Sequence, residues 1–558
     1  RGAAILVSVA VVWFVMPAVA LAGDWPIYGH DLSNSRGAVS DGPSASGVAS
    51  MHQAWAFKSP HGDFTGTPVV ADGLLVAGTN LGSIFALDAI TGKLRWSRDV
   101  GQQINGSAAI DPNASGGGLA LVPIAQVGDP QLLALSLRDG SVRWKAALSD
   151  QPSSANADVY GSPVYWRGTV YIGTSGPNGD GSTARGSVVA LDEATGKVRW
   201  RTFTVPPGDD GGPVWSTPAV DPATGRLYVG TGNAYHAPAA PTTDSILVLA
   251  AATGQILGHF QAIAADTFAP NNPVGADLDF GASPNLLQAP NGQALVGEGS
   301  KNGTYYALDR ATMQPVWSTL IAPGSPILGG ITGSTAYDGA RVYGSNVINS
   351  EIWALARDGS RQWVSADTGT LDFSPLAVAH GVLYTADAAG FLTARNASTG
   401  AVLATFPLGG PTFAGISVVG GAVYVAVGTG PPPGSSQDGP GSIIAFGDTS
   451  RSGASGHQPP AHGSIRLTVS PRSTRTGGRT RFRFHATTSA GGHPRAVAGA
   501  IITFDGRRAR TDRRGNATIT ISLQRPGLYR VRVHKAGFND GHATVRATPA
   551  PRAPNFTG

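Results

Sequence analysis

The sequence contains no cysteine. That absence excludes a disulfide framework, thiolate zinc sites, a CxxCH haem attachment and thiol catalysis, and it leaves the compartment open. Charge is also scarce: only 13% of the residues are Asp, Glu, Lys or Arg. Beyond the N-terminal stretch, no apolar run is long enough to span a membrane. Acidic residues nearly vanish from one region. Residues 451–558 hold 19 Lys and Arg against 3 Asp and Glu, whereas the rest of the chain holds 21 against 32. The formal net charge of +5 therefore hides an acidic body and a basic tail.

What is present is glycine, 77 residues, and proline, 40, in a chain of 558. Many short strands joined by turns produce that balance. Disorder would as well, but 41% hydrophobic residues argue against it for most of the chain. At the N-terminus, Arg1 is followed by an apolar stretch that closes on Ala20-Leu21-Ala22. A basic start, an apolar core and an A-x-A end describe a secretory signal peptide, expected over residues 1–22 with cleavage after Ala22. An uncleaved N-terminal anchor is the alternative. The expected location is secreted, periplasmic or at the cell surface.

One phrase repeats along the chain: an apolar strand, then A-L-D, then x-x-T-G, then a strand ending in Trp. It reads ALDAITGKLRW to Trp96, ALSLRDGSVRW to Trp144 and ALDEATGKVRW to Trp200. VLAAATGQILG follows, with Gly258 in the Trp position. ALDRATMQPVW ends at Trp317, ALARDGSRQW at Trp363, and ARNASTGAVLA has Ala404 in that position. The last copy, SIIAFGD near Phe446, lacks its Trp strand, while QAWAFK with Trp55 precedes the first complete copy and has no phrase before it. Pairing that first strand with the last three closes a ring and removes exposed sheet edges. The pattern predicts an all-β fold: an eight-bladed β-propeller over residues 23–448, closed by its N-terminal strand. Each blade is expected to be a four-stranded antiparallel sheet with T-G as a tight turn, and the Trp is expected to pack between blades. An open solenoid is the alternative.

These repeats resemble those of the quinoprotein alcohol dehydrogenases, which depend on pyrroloquinoline quinone (PQQ), with their A-x-D-x-x-T-G-x-x-x-W signature. The resemblance covers roughly residues 24–447, is nearest to polyvinyl-alcohol dehydrogenases, and includes the opening DWPIYGHDLSNSR. It implies a site in the central channel. In VWSTPAVDPATGRLYVGTGN it implies that Trp215 is the floor on which the planar cofactor stacks and that Asn233 gives an oxygen to Ca²⁺. A docking Trp and a turn Asn would be the plain structural reading. GADLDFGASPNLL resembles the catalytic segment, with Asp279 as the base that takes the alcohol proton and as a metal ligand; Asp277 is the second candidate. In GSKNGTYYALDR, Lys301 matches the lysine that donates to the quinone oxygens, although a hairpin lysine before Asn302-Gly303 would look the same. In ARGSVVALDEATG, Arg185 matches an Arg-Gly step close to the cofactor pocket. Gly281 stands where lanthanide-dependent relatives carry a second acid, which favours Ca²⁺.

The resemblance has gaps. Relatives place a metal-binding Glu before the Arg-Gly step, where YIGTSGPNGDGSTARG offers only Asp180. They also carry a vicinal cysteine pair over the cofactor, and none exists here. Thr332 replaces an aromatic residue of the polyvinyl-alcohol enzymes. The expected function is therefore an extracytoplasmic PQQ- and Ca²⁺-dependent oxidation of a secondary alcohol or polyvinyl-alcohol-like polymer. Electrons would pass to an external acceptor such as a cytochrome c, since the chain has no haem motif. The alternative is a non-catalytic propeller used for binding or assembly at the cell surface, like the outer-membrane assembly lipoprotein with similar repeats.

Residues 449–463 read as a flexible linker. Residues 464–547 alternate polar and apolar positions, as in TRFRFHATT and YRVRVHKAG, and predict a small β-sandwich. TDRRGNATI and PGLYRVRV resemble bacterial Ig-like domains. Arginines on alternate positions suggest a solvated face, or adhesion to an anionic cell-wall or membrane surface; nucleic acid is not expected as a partner outside the cell. Residues 548–558 are expected to be a disordered tail.

Overall fold

The computed structural model describes residues 23–38, 41–150, 156–176, 183–269, 274–324, 329–366, 371–428, 440–447, 465–490, 493–505, 507–535 and 541–549. The expected signal peptide, the expected linker and nearly all of the expected tail lie outside these residues. The chain divides into two compact units, Arg1–Ser452 and Gly453–Gly558.

The larger unit is all-β, and its described residues form eight sheets of the kind that builds a β-propeller. Seven have four strands. In the eighth, Gly37–Ala38 adds a short fifth strand, parallel to Ala377–Ala379. The first sheet runs through Val69–Ala71, Leu74–Gly78, Ser83–Asp88 and Leu94–Asp99, each antiparallel to the last. Its outer turn is built by the repeated phrase itself. Asp88 Oδ1 accepts from the backbone N–H and the hydroxyl of Thr91, both at 2.8 Å. Asp192 does the same for Thr195 at 3.0 and 2.7 Å. An acidic side chain that closes its own turn in this way fixes the chain reversal locally.

The Trp of each phrase docks on the next sheet. Indole Nε1 donates to the carbonyls of Ala89 from Trp55 (3.1 Å), Leu137 from Trp96 (2.8 Å), Glu193 from Trp144 (2.8 Å) and Ala251 from Trp200 (3.1 Å). Trp317 and Trp363 repeat the contact with Arg357 and Ala397. Each ring covers the turn glycine of its neighbour. A Cβ on Gly92 would stand 2.6 Å from Trp55, and one on Gly254 2.5 Å from Trp200. These glycines have positive φ as well, so both backbone and space call for glycine. The exception is reciprocal: where Gly258 replaces Trp, Met313 replaces the facing turn glycine. Met313 keeps the positive φ of 59° and is buried, and its Cγ lies 3.5 Å from the Cβ position of Gly258. The turn facing Ala404 lies outside the described residues.

His52–Lys58 pairs antiparallel with Ser442–Gly447, which joins the two ends of the repeat region in one sheet. Most inner strands of successive sheets touch, and Val69–Ala71 of the first also touches Ile416–Val419 of the last. A chain of hydroxyls ties these inner edges together. The backbone N–H of Thr67 donates to Ser107 Oγ, Ser107 to Ser162, Ser162 to Thr217, Thr217 to Ser283 and Ser283 to Ser334, at 2.8–3.2 Å.

The opening segment is a hub across the inner strands. Pro26, Leu32, Ser33, Ser35 and Arg36 accept through their carbonyls from Ile110, Val220, Leu286, Tyr337 and Val378. The Arg36 guanidinium is fully buried and donates to the carbonyls of Leu376 (2.6 Å) and Ile416 (2.9 Å), and burial lowers its pKa to about 10.

The smaller unit has two sheets. One contains Ile465–Ser470, Arg479–Ala490, His493–Ala496 and Asn516–Ser522; the other contains Ser473–Arg475, Ile501–Phe504, Arg507–Arg510, Gly527–His534 and Gly541–Thr548. Phe482, Phe484, Phe504, Val531 and Val545 share one core, with Phe482 and Phe504 edge-on at 5.0 Å.

Candidate functional site

Trp215 and Asn233 flank the first two strands of one sheet, Ala219–Asp221 and Arg226–Gly230. Asp279 and Lys301 flank the first two strands of the next, Asn285–Gln288 and Ala294–Gly299. The repeat therefore delivers all four residues to the same end of adjacent sheets, although 86 positions separate Trp215 from Lys301.

There they meet. Lys301 Nζ lies 2.7 Å from Asp277 Oδ1 and 3.0 Å from Asp279 Oδ2. Asp279 Oδ1 accepts the backbone N–H of Asn233 at 2.7 Å, and the Asp279 carbonyl accepts the N–H of Lys301 at 2.9 Å. All of these residues are buried. Burial works against the ammonium charge of Lys301, but the charges and hydrogen bonds of Asp279 and Asp277 outweigh it and raise its pKa. The same ammonium stands 5.5 Å from the ring centroid of the half-buried Trp215. That ring in turn lies over Gly281, where a Cβ would fall 1.9 Å from it. A second acid at 281 is therefore sterically excluded while Trp215 holds this position.

The amide of Asn233 is held by its nitrogen, which donates to the carbonyls of Ala234 (2.6 Å) and Phe268 (2.7 Å). The amide oxygen is then the end able to ligate a cation. Arg185 takes a different course. Its guanidinium donates to the Val205 carbonyl and stacks 4.0 Å from the Phe203 ring centroid, so it serves the edge of its own sheet. It reaches the cluster only through the backbone, where Arg185 bridges to Gly211 and Gly212 donates to the Asn233 carbonyl. Asp180 lies outside the described residues. Thr332 Oγ1 is buried without a hydrogen-bond partner among them.

Two further acids, Asp266 and Asp244, shape the site beside Asp277 without a sequence signal of their own. Asp266 accepts the backbone N–H groups of Ala276 (2.9 Å) and Leu278 (3.0 Å) and so pins the loop that carries Asp277 and Asp279. Asp277 sits at φ 53°, an unusual conformation held by that loop. Asp244 is fully buried, with neither carboxylate oxygen hydrogen-bonded among the described residues. Burial first, then the negative charges of Asp279, Asp266 and Asp277, push its pKa well up.

The donor set suits a planar, oxygen-rich, anionic ring beside a cation: an indole face with an ammonium next to it. For a hard divalent ion the described residues of the cluster offer Asn233 and Asp279, with Asp277 beside them, fewer than the six to eight oxygens such an ion takes. No group of three His, Cys, Asp or Glu able to hold a metal occurs among the described residues.

A family model described as outer membrane protein assembly factor BamB, built on PQQ-type repeats, matches residues 45–319 and 184–431. These matches span more than half of the chain. The chain belongs to this PQQ-repeat propeller family. It is 29% identical over 379 residues to a polyvinylalcohol dehydrogenase of Pseudomonas sp., a match covering 61% of this chain and 58% of that protein. It is 30% identical over 344 residues to the dehydrogenase subunit of a quinone alcohol dehydrogenase from Gluconacetobacter polyoxogenes, covering 52% of this chain and 44% of that one. The chain thus matches about half the length of such relatives. Its fold is shared with the quinohemoprotein alcohol dehydrogenase of Comamonas testosteroni (TM-score 0.65, 19% identity, 79% of this chain and 82% of that one). It is shared also with BamB of Moraxella catarrhalis (TM-score 0.52, 15% identity, 71% and 99%). Among the described residues, no helix is long and apolar enough to cross a membrane.

Proposed function

We propose that this PQQ-repeat protein is an extracytoplasmic PQQ-dependent alcohol dehydrogenase, with its eight sheets forming the blades of one closed propeller. The observation that carries this reading is the convergence of Asp279, Lys301, Asn233 and Trp215 at one end of two adjacent sheets. Similarity to polyvinyl-alcohol and quinone alcohol dehydrogenases supports it.

PQQ, when bound, supplies a two-electron acceptor for the hydride of the alcohol carbon. Trp215 provides its stacking floor. Lys301 stabilises negative charge developing on quinone oxygen, because its ammonium is already oriented and shielded from water. Asp279 receives the hydroxyl proton, and its geometry is set by the N–H of Asn233 and by Lys301. Asn233 and Asp279 would hold Ca²⁺, which adds positive charge next to the base. Arg185 contributes by keeping the Gly211–Gly212 turn against Asn233. The substrate is a secondary alcohol or a polyvinyl-alcohol-like polymer. An external acceptor such as a cytochrome c would take up the electrons, because the sequence has no CxxCH motif. The smaller unit is an Ig-like sandwich serving as an accessory domain.

A second reading, a binding or assembly scaffold, is favoured by one observation: among the described residues no group of three His, Cys, Asp or Glu could hold a metal. Purified protein titrated with PQQ and Ca²⁺, then assayed for alcohol-dependent dye reduction, separates the two. Saturable PQQ binding with turnover supports the dehydrogenase; no binding at high PQQ leaves the scaffold.

A further inference from the structure

The smaller unit carries a feature that the dehydrogenase reading does not use. On the strand Arg479–Ala490, Phe482, Phe484 and Ala486 point into the core, so Arg479, Arg481 and Arg483 point outward, and all three are exposed. Side chains on one face of a strand repeat about every 7 Å. Like charges at that spacing repel and weaken a free sheet.

No described residue nearby neutralises them. The residues opposite are hydroxylic: Ser522 faces Arg479, Thr520 faces Arg481, and Ser470 and Thr518 flank Arg483. Arg466 extends the row on the next strand, opposite Thr487. The two described acids of this unit, Asp505 and Asp512, lie between strands, and Asp512 is engaged in its own turn with Arg514 and Asn516. Arg479, Arg481 and Arg483 form no ion pair with a described residue.

The cations are of one kind. Residues 451–558 contain 18 Arg and 1 Lys. Arginine presents a planar fork that matches two oxygens of a phosphate, which lysine cannot do. Serine and threonine hydroxyls add donors to the remaining phosphate oxygens. Among the described residues the face has no large apolar side chain to enter a bilayer, and the ring beside the row, His485, is tied to Asn516 at 2.8 Å.

We propose that this face binds a linear phosphodiester polymer of the cell envelope, of the polyol-phosphate type, along the Arg479–Arg481–Arg483 row. A phosphodiester on each three-carbon unit places successive anions at close to the arginine spacing. This inference rests on the extracytoplasmic part of the proposed function and is independent of the dehydrogenase part. The face would hold the protein against envelope polymer while the propeller works.

The test uses the full chain without PQQ or alcohol, so that failure of the dehydrogenase reading leaves it intact. Fluorescent poly(glycerol phosphate) is titrated by anisotropy at several salt concentrations. Saturable binding is expected. The variant Arg479→Ser/Arg481→Ser/Arg483→Ser should weaken it at least tenfold and lower the slope of log affinity against log salt by about 2, for three contacts at ~0.7 each. Arg508→Ser/Arg510→Ser/Arg546→Ser removes the same charge from the other sheet and should change affinity less than threefold. Replacing the row with lysine should recover only part of the binding. Equal loss in the two serine variants would overturn the proposal in favour of net charge alone. So would tighter binding to phosphatidylglycerol vesicles or to single-stranded DNA, or no binding to the polymer.

Discussion

Lys301 Nζ stands 3.0 Å from Asp279 Oδ2, and the other oxygen of that carboxylate is taken by the N–H of Asn233. The Asp279 carboxylate is therefore held at both oxygens. Asp277 shares the same ammonium at 2.7 Å. The two carboxylates differ in that only Asp279 also contacts the Asn233 backbone.

Asp279→Asn keeps an acceptor for Asn233 and leaves Lys301 paired with Asp277. PQQ affinity should stay within about threefold, while alcohol-dependent dye reduction falls by roughly 10²–10⁴. Asp277→Asn should cost less than about tenfold in turnover by comparison. Parallel PQQ titrations and steady-state assays check both. Equal turnover of Asp279→Asn and the parent would move the base elsewhere.

Gly281 gives Trp215 its room. Gly281→Ala should displace the indole and weaken PQQ binding by about tenfold, a loss of ~1.4 kcal/mol, with little effect on thermal unfolding. The quenching of tryptophan fluorescence by added PQQ reads this directly.

The Gly258–Met313 exchange predicts a compensating pair. Gly258→Trp alone should destabilise the protein by about 1–3 kcal/mol through overpacking against Met313. Combining it with Met313→Gly should recover most of that loss, because the pair then matches the Trp–Gly docking of the other sheets. Gly254→Ala, which meets both positive φ and the Trp200 ring, should cost about 2–4 kcal/mol with no partner change available. Denaturant midpoints of the single and double variants test the coupling.

Glu298 is fully buried with neither oxygen hydrogen-bonded among the described residues, and burial pushes its pKa well up. A carboxyl whose folded pKa exceeds its unfolded value binds its proton more tightly in the native state. Stability is then highest below the unfolded pKa and falls as pH rises from there toward the folded pKa, by at most ~1.4 kcal/mol per pH unit. Glu298→Gln should flatten that dependence and raise the melting temperature at pH 7 to 8. An unchanged pH profile in Glu298→Gln would show that the residue is already accommodated as a charged group.

The sequence determined the parts of this protein that depend on local chemistry. The A-L-D and T-G steps build their own turns, as Asp88 does with Thr91, and period-two alternation puts Phe482 inside and Arg481 outside. Asn233 and Lys301 were legible only through the resemblance of their segments to quinoprotein motifs. The tertiary structure decided what depends on neighbours across the ring. Asp266 pinning the Asp279 loop, Asp244 buried among acids, Met313 filling the place of an indole and the opening segment holding six sheets together leave no mark at fixed spacing. Arg185 shows the same limit: its Arg-Gly step is legible, but the direction of its side chain, toward Phe203, is set by packing. Spacing along a chain encodes which strand a residue leaves and on which face. Only closure of the sheets fixes which side chain from another sheet it then meets.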